Sequence, residues 1–419
     1  MEDILKEERL RKGREALENA TLAYIESRAK AFKTNDVELL KEKLRKIKEL
    51  SISNLDHLVD RAIERLTDQG INVHVARDSE EACGLALELI PKGEKVVKSK
   101  SNVIHEIGLL KKLEGRNRVV ETDCGDFIIR ICDEEPAHPV TPAIHLAPTI
   151  IAQKIMEKFG EAVEGDPTAI TEWVRRRVRE EVMTASVGLT GANVISSDGS
   201  IFIVENEGNI SLVSRIPEKH LIITGIDKVV PTVEDAIMIC KALGIWGTGA
   251  NMPSYVNVIS RPSLTADVAK KIVLGVHGPK EIHLILVDNG RRKMIEEGLS
   301  EILYCINCGS CLYFCPVYRQ LLNNFGSVYF GGIGVARAFF NASPEIAFES
   351  GLYFCTTCGA CRTQCPLSID VPDIIRKLRS LSVIQGLVPE SAVEMARRIE
   401  EFGDPYGGEG VEKEKWYCC

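Results

Sequence analysis

The sequence predicts an α/β domain on a parallel sheet, preceded by helices and followed by a smaller, mainly helical domain crowded with cysteines. Two observations carry this. Strand and helix patterns alternate between Ile71 and Gly290, and eight of the fourteen cysteines fall in two short runs after that region. With 419 residues the chain exceeds one ordinary domain. The expected division is 1–68 helical, 69–295 α/β, 296–400 cysteine-rich and helical, and 401–419 a tail. Hydrophobic content of 45% supports a real core, and the net charge of −8 argues against nucleic acid as the main partner. No stretch is apolar for long enough to span a bilayer. The N-terminus is charged from Glu2 onward, unlike a signal peptide, so the expectation is a cytoplasmic protein.

From Ile4 to Ile47 the chain is charged, leucine-punctuated and free of proline, which predicts two or three amphipathic helices. "INVHVA" predicts a strand and "SEEACGLALELI" a helix. "KVVKS" is a strand, "NVIHEIGLLKKLEG" a helix and "RVVET" a strand. A helix beginning at "TEWVRRRVREEVM" then leads into strands with a hairpin turn at Asp198-Gly199. "HLIITGI" is a strand, and "TVEDAIMICKALG" a helix with Thr232 as N-cap and Gly244 as its stop. "EIHLILVDNG" closes the domain as a buried strand. Cys83, Cys132 and Cys240 lie in apolar settings and are expected in the core.

The cysteine runs are "YCINCGSCLYFCPVY" and "FCTTCGACRTQCPLS". Each fits C-x2-C-x2-C-x3-C-P, the bacterial [4Fe–4S] pattern. Three thiolates in one turn can reach three irons of a cube. The fourth cysteine, followed by proline, ligates the other cube in two-cluster ferredoxins. The expectation is therefore Cys305, Cys308, Cys311 and Cys365 on cluster 1, and Cys355, Cys358, Cys361 and Cys315 on cluster 2. Structural zinc uses paired C-x2-C knuckles and would leave a third cysteine and a Cys-Pro in each run unexplained. The 39 residues between Cys315 and Cys355 are too many for a compact β-ferredoxin. They resemble better the helical ferredoxin of succinate dehydrogenase iron–sulfur subunits.

Ligands of open α/β sheets bind at the carboxyl ends of strands. Lys98, Ser99, Lys100 and Ser101 occupy such a place before a helix start, where an anion would be favoured. Glu121 and Thr122 follow the next strand, and "LTGAN" with Asn193 and "ENEGN" with Glu205 and Asn206 are further candidates. The plainer reading of each loop is an ordinary cap or turn. "HPVTPAIH" carries two histidines seven residues apart, a weak metal spacing. The tail ends Trp416-Tyr417-Cys418-Cys419 after a glycine-rich charged stretch, which leaves open self-packing, partner docking or thiol chemistry.

The blocks "SKSNVIHEIGL", "VVETDCGDFIIRI", "HPVTPAIH", "LTGAN", "ENEGN", "GIDKVVPTVEDA" and "VDNGR", with the cysteine runs after them, resemble the lactate utilisation protein B family over residues 20–400. The resemblance implies a LUD domain with a sugar isomerase/CoA transferase-like sheet. It further implies a cytoplasmic iron–sulfur protein that acts with companion proteins A and C to oxidise L-lactate to pyruvate. The chain departs from the family at "ISSDGS" and in its short tail. Three functions follow. The chain is a redox subunit binding a small carboxylate, or an electron-transfer subunit whose LUD domain is a docking scaffold for a flavin-bearing partner, or a CoA-transferase-like enzyme with structural clusters. No nicotinamide or flavin fingerprint follows a strand.

Overall fold

The computed structural model describes residues 2–134, 142–143 and 146–405. His138 and His145 of "HPVTPAIH", and the Trp416–Cys419 tail, lie outside the described residues.

Twelve strands are described: β1 (Asn72–Ala76), β2 (Lys95–Lys98), β3 (Arg118–Glu121), β4 (Val187–Thr190), β5 (Val194–Ser196), β6 (Ser200–Glu205), β7 (Lys219–Gly225), β8 (Val229–Val230), β9 (Tyr255–Ile259), β10 (Leu264–Thr265), β11 (Val273–Leu274) and β12 (Glu281–Val287). Six form one sheet in the order β1-β12-β7-β4-β2-β3, with every pairing parallel. An all-parallel sheet must be covered on both faces, and its central strands are accordingly buried along nearly their whole length, with mostly apolar side chains. Leu221, Ile223, Ile285 and Val287 face the core that includes Ala82, Cys83 and Ala86 of helix Ser79–Leu89. Their alternates Ile222, Leu284 and Leu286 face the core shared with the N-terminal helices and the cysteine-rich domain. A second sheet, β8-β5-β6-β9, carries the hairpin at Asp198-Gly199, where Gly199 takes φ 94.

The N-terminal helices are Glu2–Lys33, Val37–Ser53 and Leu55–Asp68. In the first, Leu17, Tyr24 and Ala31 are buried at intervals of seven, a narrow seam. Tyr24 stacks on Tyr313 at 4.2 Å and its hydroxyl donates to the Trp246 carbonyl at 2.7 Å. This helix therefore ties the α/β domain to the first cysteine run. In the second helix Asp36 caps the start by accepting from Leu39 N at 3.1 Å, and Leu40, Leu44, Ile47 and Ile52 form the buried face.

Two helices differ from their expected extent. The helix expected over "NVIHEIGLLKKLEG" breaks into Asn102–Glu106 and Leu109–Glu114, because Gly108 adopts φ 67 and turns the chain. Thr232 does cap Val233–Leu243 with a capping box, but Gly244 keeps helical φ and the chain continues as a π-turn to Thr248. The left-handed stop is Gly249, at φ 75.

The cysteine-rich region is built from short helices, including Pro316–Leu321, Gly331–Asn341, Pro344–Glu349, Ala360–Gln364 and Val371–Ile384. Among its described residues the only extended pairing is the bridge Gly326–Phe330. Helix Glu390–Phe402 follows and buries no residue.

Candidate metal centre

The two cysteine runs share a backbone conformation. Asn307 and Thr357, each two residues after the first cysteine, adopt φ 61 and 52, and Gly309 and Gly359, each after the second, adopt φ 77 and 79. Successive left-handed residues curl each run into a tight loop that gathers three sulfurs. Asparagine and glycine accept this conformation readily, whereas β-branched Thr357 is strained there. Pro316 then starts helix Pro316–Leu321 with Cys315 as N-cap, which carries the fourth sulfur away from its own loop.

The sulfurs regroup crosswise. One cavity is lined by Cys305, Cys308, Cys311 and Cys365, and a neighbouring one by Cys315, Cys355, Cys358 and Cys361. Cys311, Cys361, Ile333 and Val371 border both, so the two cavities share a wall. The electrostatics divides in the same way. Burial pushes the Cys308 thiol up, and Cys365 and Cys305 beside it push it further. Burial also lifts Cys315, aided by Cys355 and Cys358, and lifts Cys361 to about 12, aided by Cys315, Cys355 and Cys358. Buried thiols of this kind ionise only against a bound cation. Backbone N–H groups of Asn307, Tyr318 and Leu367 each lie 3.4 Å from Cys305, Cys315 and Cys365 sulfur respectively, contacts that tune iron–sulfur centres. Among the described residues no three His, Cys, Asp or Glu side chains converge on a single-ion site. Two sets of four thiols around cavities suit four-iron cubes rather than zinc.

The carboxyl edge of the six-stranded sheet meets the first run. Asp227, just after β7, is fully buried. It accepts from Arg291 Nε at 2.6 Å, pairs with Lys228 at 2.9 Å and Arg337 at 3.3 Å, and its carbonyl accepts from Lys48 at 2.6 Å. Arg291 also grips Glu106 at 2.8 and 3.0 Å, and Tyr329 donates to Glu106 at 2.6 Å. Lys228 and Arg337 both donate to the Cys305 carbonyl, at 3.1 and 3.5 Å. Burial, then Lys228 nearby, pulls Lys48 down to about 7.

At the other end of that edge lie the loops expected to bind an anion. Lys98 Nζ bonds both oxygens of Glu121 at 2.7 and 2.6 Å, and both side chains are buried. Ser99 is buried and its hydroxyl has no hydrogen-bond partner among the described residues. Lys100 lies 3.6 Å from Asp126. Ser101 precedes a helix of only five residues and makes no side-chain cap bond. Thr122 donates to the Lys98 carbonyl at 2.9 Å and accepts from Asn209 at 3.1 Å. Lys98, Ser99, Glu121 and Thr122 thus come together. Glu205 instead accepts from Ser211 N at 3.0 Å and Asn257 at 2.7 Å, Asn206 accepts from Ser254 N at 3.2 Å, and Asn193 accepts from Val204 N at 2.8 Å. Around Lys100, burial raises Asp123, Asp126 and Glu207, and lifts the Cys124 thiol to about 11. Clustered perturbed groups at a strand edge mark this as the polar end of the sheet.

Comparison with known proteins places these features. Residues 59–287 match the LUD domain and residues 301–369 match a 4Fe-4S dicluster domain. Lactate utilization protein B of Bacillus cereus (strain AH820) is 33% identical over 366 residues, covering 85% of this chain and 74% of its own. The proteins of the same name from Bacillus cytotoxicus and Bacillus anthracis (strain CDC 684 / NRRL 3495) match with the same identity and coverage. The chain belongs to the lactate utilization protein B family. A crystal structure of a DUF162 family protein from Deinococcus radiodurans aligns over 56% of this chain and 98% of its own, with 15% identity and a TM-score of 0.32, a likeness too weak to carry an argument.

As in the family's dicluster domain, this protein carries two [4Fe–4S] clusters. The LUD domain is the α/β domain with the parallel sheet. No helix among the described residues is long and apolar enough to cross a membrane. Sequence reading missed the charged group above the first run. Its signal was present: Asp227-Lys228 follows closely on a buried, mostly apolar strand, and Lys48 interrupts the buried face of its helix.

Proposed function

We propose that this chain is the iron–sulfur redox subunit of a complex that oxidises L-lactate, or a related 2-hydroxy acid, to pyruvate. Its expected companions are lactate utilisation proteins A and C or a flavoprotein. The cubes are assigned as before: Cys305, Cys308, Cys311 and Cys365 hold cluster 1, and Cys355, Cys358, Cys361 and Cys315 hold cluster 2. The supporting observation is the shared wall of the two cavities, which makes the cubes immediate neighbours. Every iron would be capped by a cysteine, so the pair serves to accept and pass electrons one at a time. Oxidation of the hydroxy acid releases two electrons and two protons, which two one-electron centres match in number. The residues of this chain hold the cubes, exclude water with Ile333 and Val371, and seat cluster 1 against the LUD sheet.

A second reading has its own support. Lys98 is neutralised by Glu121, and Glu205 is engaged with Ser211 and Asn257, so these residues already have internal partners. This favours a LUD domain that acts as a scaffold, with the chemistry on a companion. Lys100, amid Asp123, Asp126 and Glu207, remains the candidate for contact with a small carboxylate. The variant Lys100→Ala separates the two readings. If the LUD loops bind substrate, the assembled complex loses turnover with iron content intact. Full turnover supports the scaffold.

A further inference from the structure

The charged group between the LUD sheet and the first cysteine run is unbalanced. Lys228, Arg291 and Arg337 are buried, at 0 to 8% exposure, and Lys48 beside them is pulled down to about 7, yet among the described residues only Asp227 and Glu106 oppose them within the group. Arg291 alone donates to both carboxylates. Among the described residues Arg337 Nε and Nη1 have no hydrogen-bond partner, and its guanidinium lies 5.0 Å from the Tyr329 ring centre. Buried charge without a counter-charge costs several kcal/mol per ion. A group of this kind persists when an anion stands beside it, and the nearest candidate is the thiolate-ligated cube behind the Cys305 carbonyl.

The second run offers an internal comparison. The Cys355 carbonyl also accepts from an arginine, Arg379 Nη2 at 2.5 Å. Arg379 is only half-buried and has no second cation beside it among the described residues at that carbonyl. Solvent screens such a charge, whereas the fully buried set above Cys305 is screened little.

Building on the crosswise ligand assignment, we propose that Lys228 and Arg337, the two cations that donate to the Cys305 carbonyl, are the counter-charge of cluster 1 and make it the higher-potential member of the pair. Each added electron raises the negative charge of a cube by one, and buried cations favour the more negative state. A single electron therefore leaves cluster 2, which is oxidised, and rests on cluster 1, which is reduced. No proton or further reactant is required. The LUD sheet, through Asp227 and Arg291, positions these cations.

The test is a redox titration of the anaerobically purified full chain, followed by electron paramagnetic resonance. Cys365→Ser first identifies the cluster 1 signal, which should be the one reduced at higher potential. Arg337→Gln should then lower that potential by at least tenfold in electron partition, about 59 mV, and leave the other unchanged. Arg337→Lys should retain the high potential. Lys228→Met provides the same readout if Arg337→Gln fails to hold iron. Unchanged potentials in both neutralising variants, or equal shifts of both clusters, overturn this proposal alone. Loss of the Cys355-run cube in Cys365→Ser overturns the ligand assignment and this proposal with it.

Discussion

The two cysteine runs have the same spacing and nearly the same backbone, but their surroundings are opposite. Around the first run all four cysteines are partly buried, the N-terminal helix closes over Tyr313, and the sheet edge brings the buried cations Lys228, Arg291 and Arg337 close. Around the second, Cys358 is exposed, Phe354 is 54% exposed, and Ile384 nearby in the chain is 82% exposed. The motif sets the cage. Burial and charge supplied by distant segments set what each cage can do. A deep, positively surrounded centre suits holding an electron, and a shallow one suits exchanging it.

The comparison can be broken most forcefully at the ligands. Cys365→Ser should remove the cube of the Cys305 run and Cys315→Ser that of the Cys355 run, each reducing iron from about eight to about four per chain. Iron analysis with spectroscopy checks this, and loss confined to the run that carries the mutation would show that each run closes its own cube. Tyr24→Ala removes an aromatic buried against Tyr313 and should cost about 3–5 kcal/mol. Its effect should fall on cluster 1, whose iron a chelator would then extract faster, while cluster 2 is unchanged.

Acid sharpens the comparison through the sheet of the LUD domain, which seats cluster 1. Burial alone lowers His220 to about 3. The unfolded chain, with an ordinary histidine, binds that proton below about pH 6.5, so stability is lost as pH falls from there toward 3. At pH 5 the loss is about 2 kcal/mol. Thermal melts of wild type should show this slope, and His220→Asn should flatten it. The smallest effect concerns the matched turn positions. Thr357→Asn, which copies Asn307, should relieve strain and slow the loss of cluster 2 by about 1 kcal/mol, while Asn307→Thr should do the reverse at cluster 1.

Much of this was legible in sequence because its cause is local. The strands of the parallel sheet announce themselves as short apolar runs, and the cysteine spacing defines both cages before any fold is known. What stayed hidden depends on partners far away in the chain. Lys98 looked like a free cation at a strand end, but Glu121, on the neighbouring strand, neutralises it. Glu205 turned toward Ser211 and Asn257 because β6 pairs with β9, a strand not foreseen. Gly108 and Gly244 exchanged roles. The first broke a helix expected to run through it, and the second continued one expected to stop, since glycine permits either sign of φ and the local sequence does not say which the chain takes. The basic residues near Cys305 come from positions 48, 228, 291 and 337, which no local pattern connects.

The central claim is that electrons from a 2-hydroxy acid enter the clusters of this chain. The direct measurement is anaerobic mixing of L-lactate with the chain assembled with its companions, read by visible and electron paramagnetic resonance spectra before any acceptor is added. The account predicts that the broad visible band bleaches and a reduced-cluster signal grows in step with pyruvate. Pyruvate formed at full rate while both clusters remain oxidised, or formed equally well with a chain lacking both cubes, would contradict it.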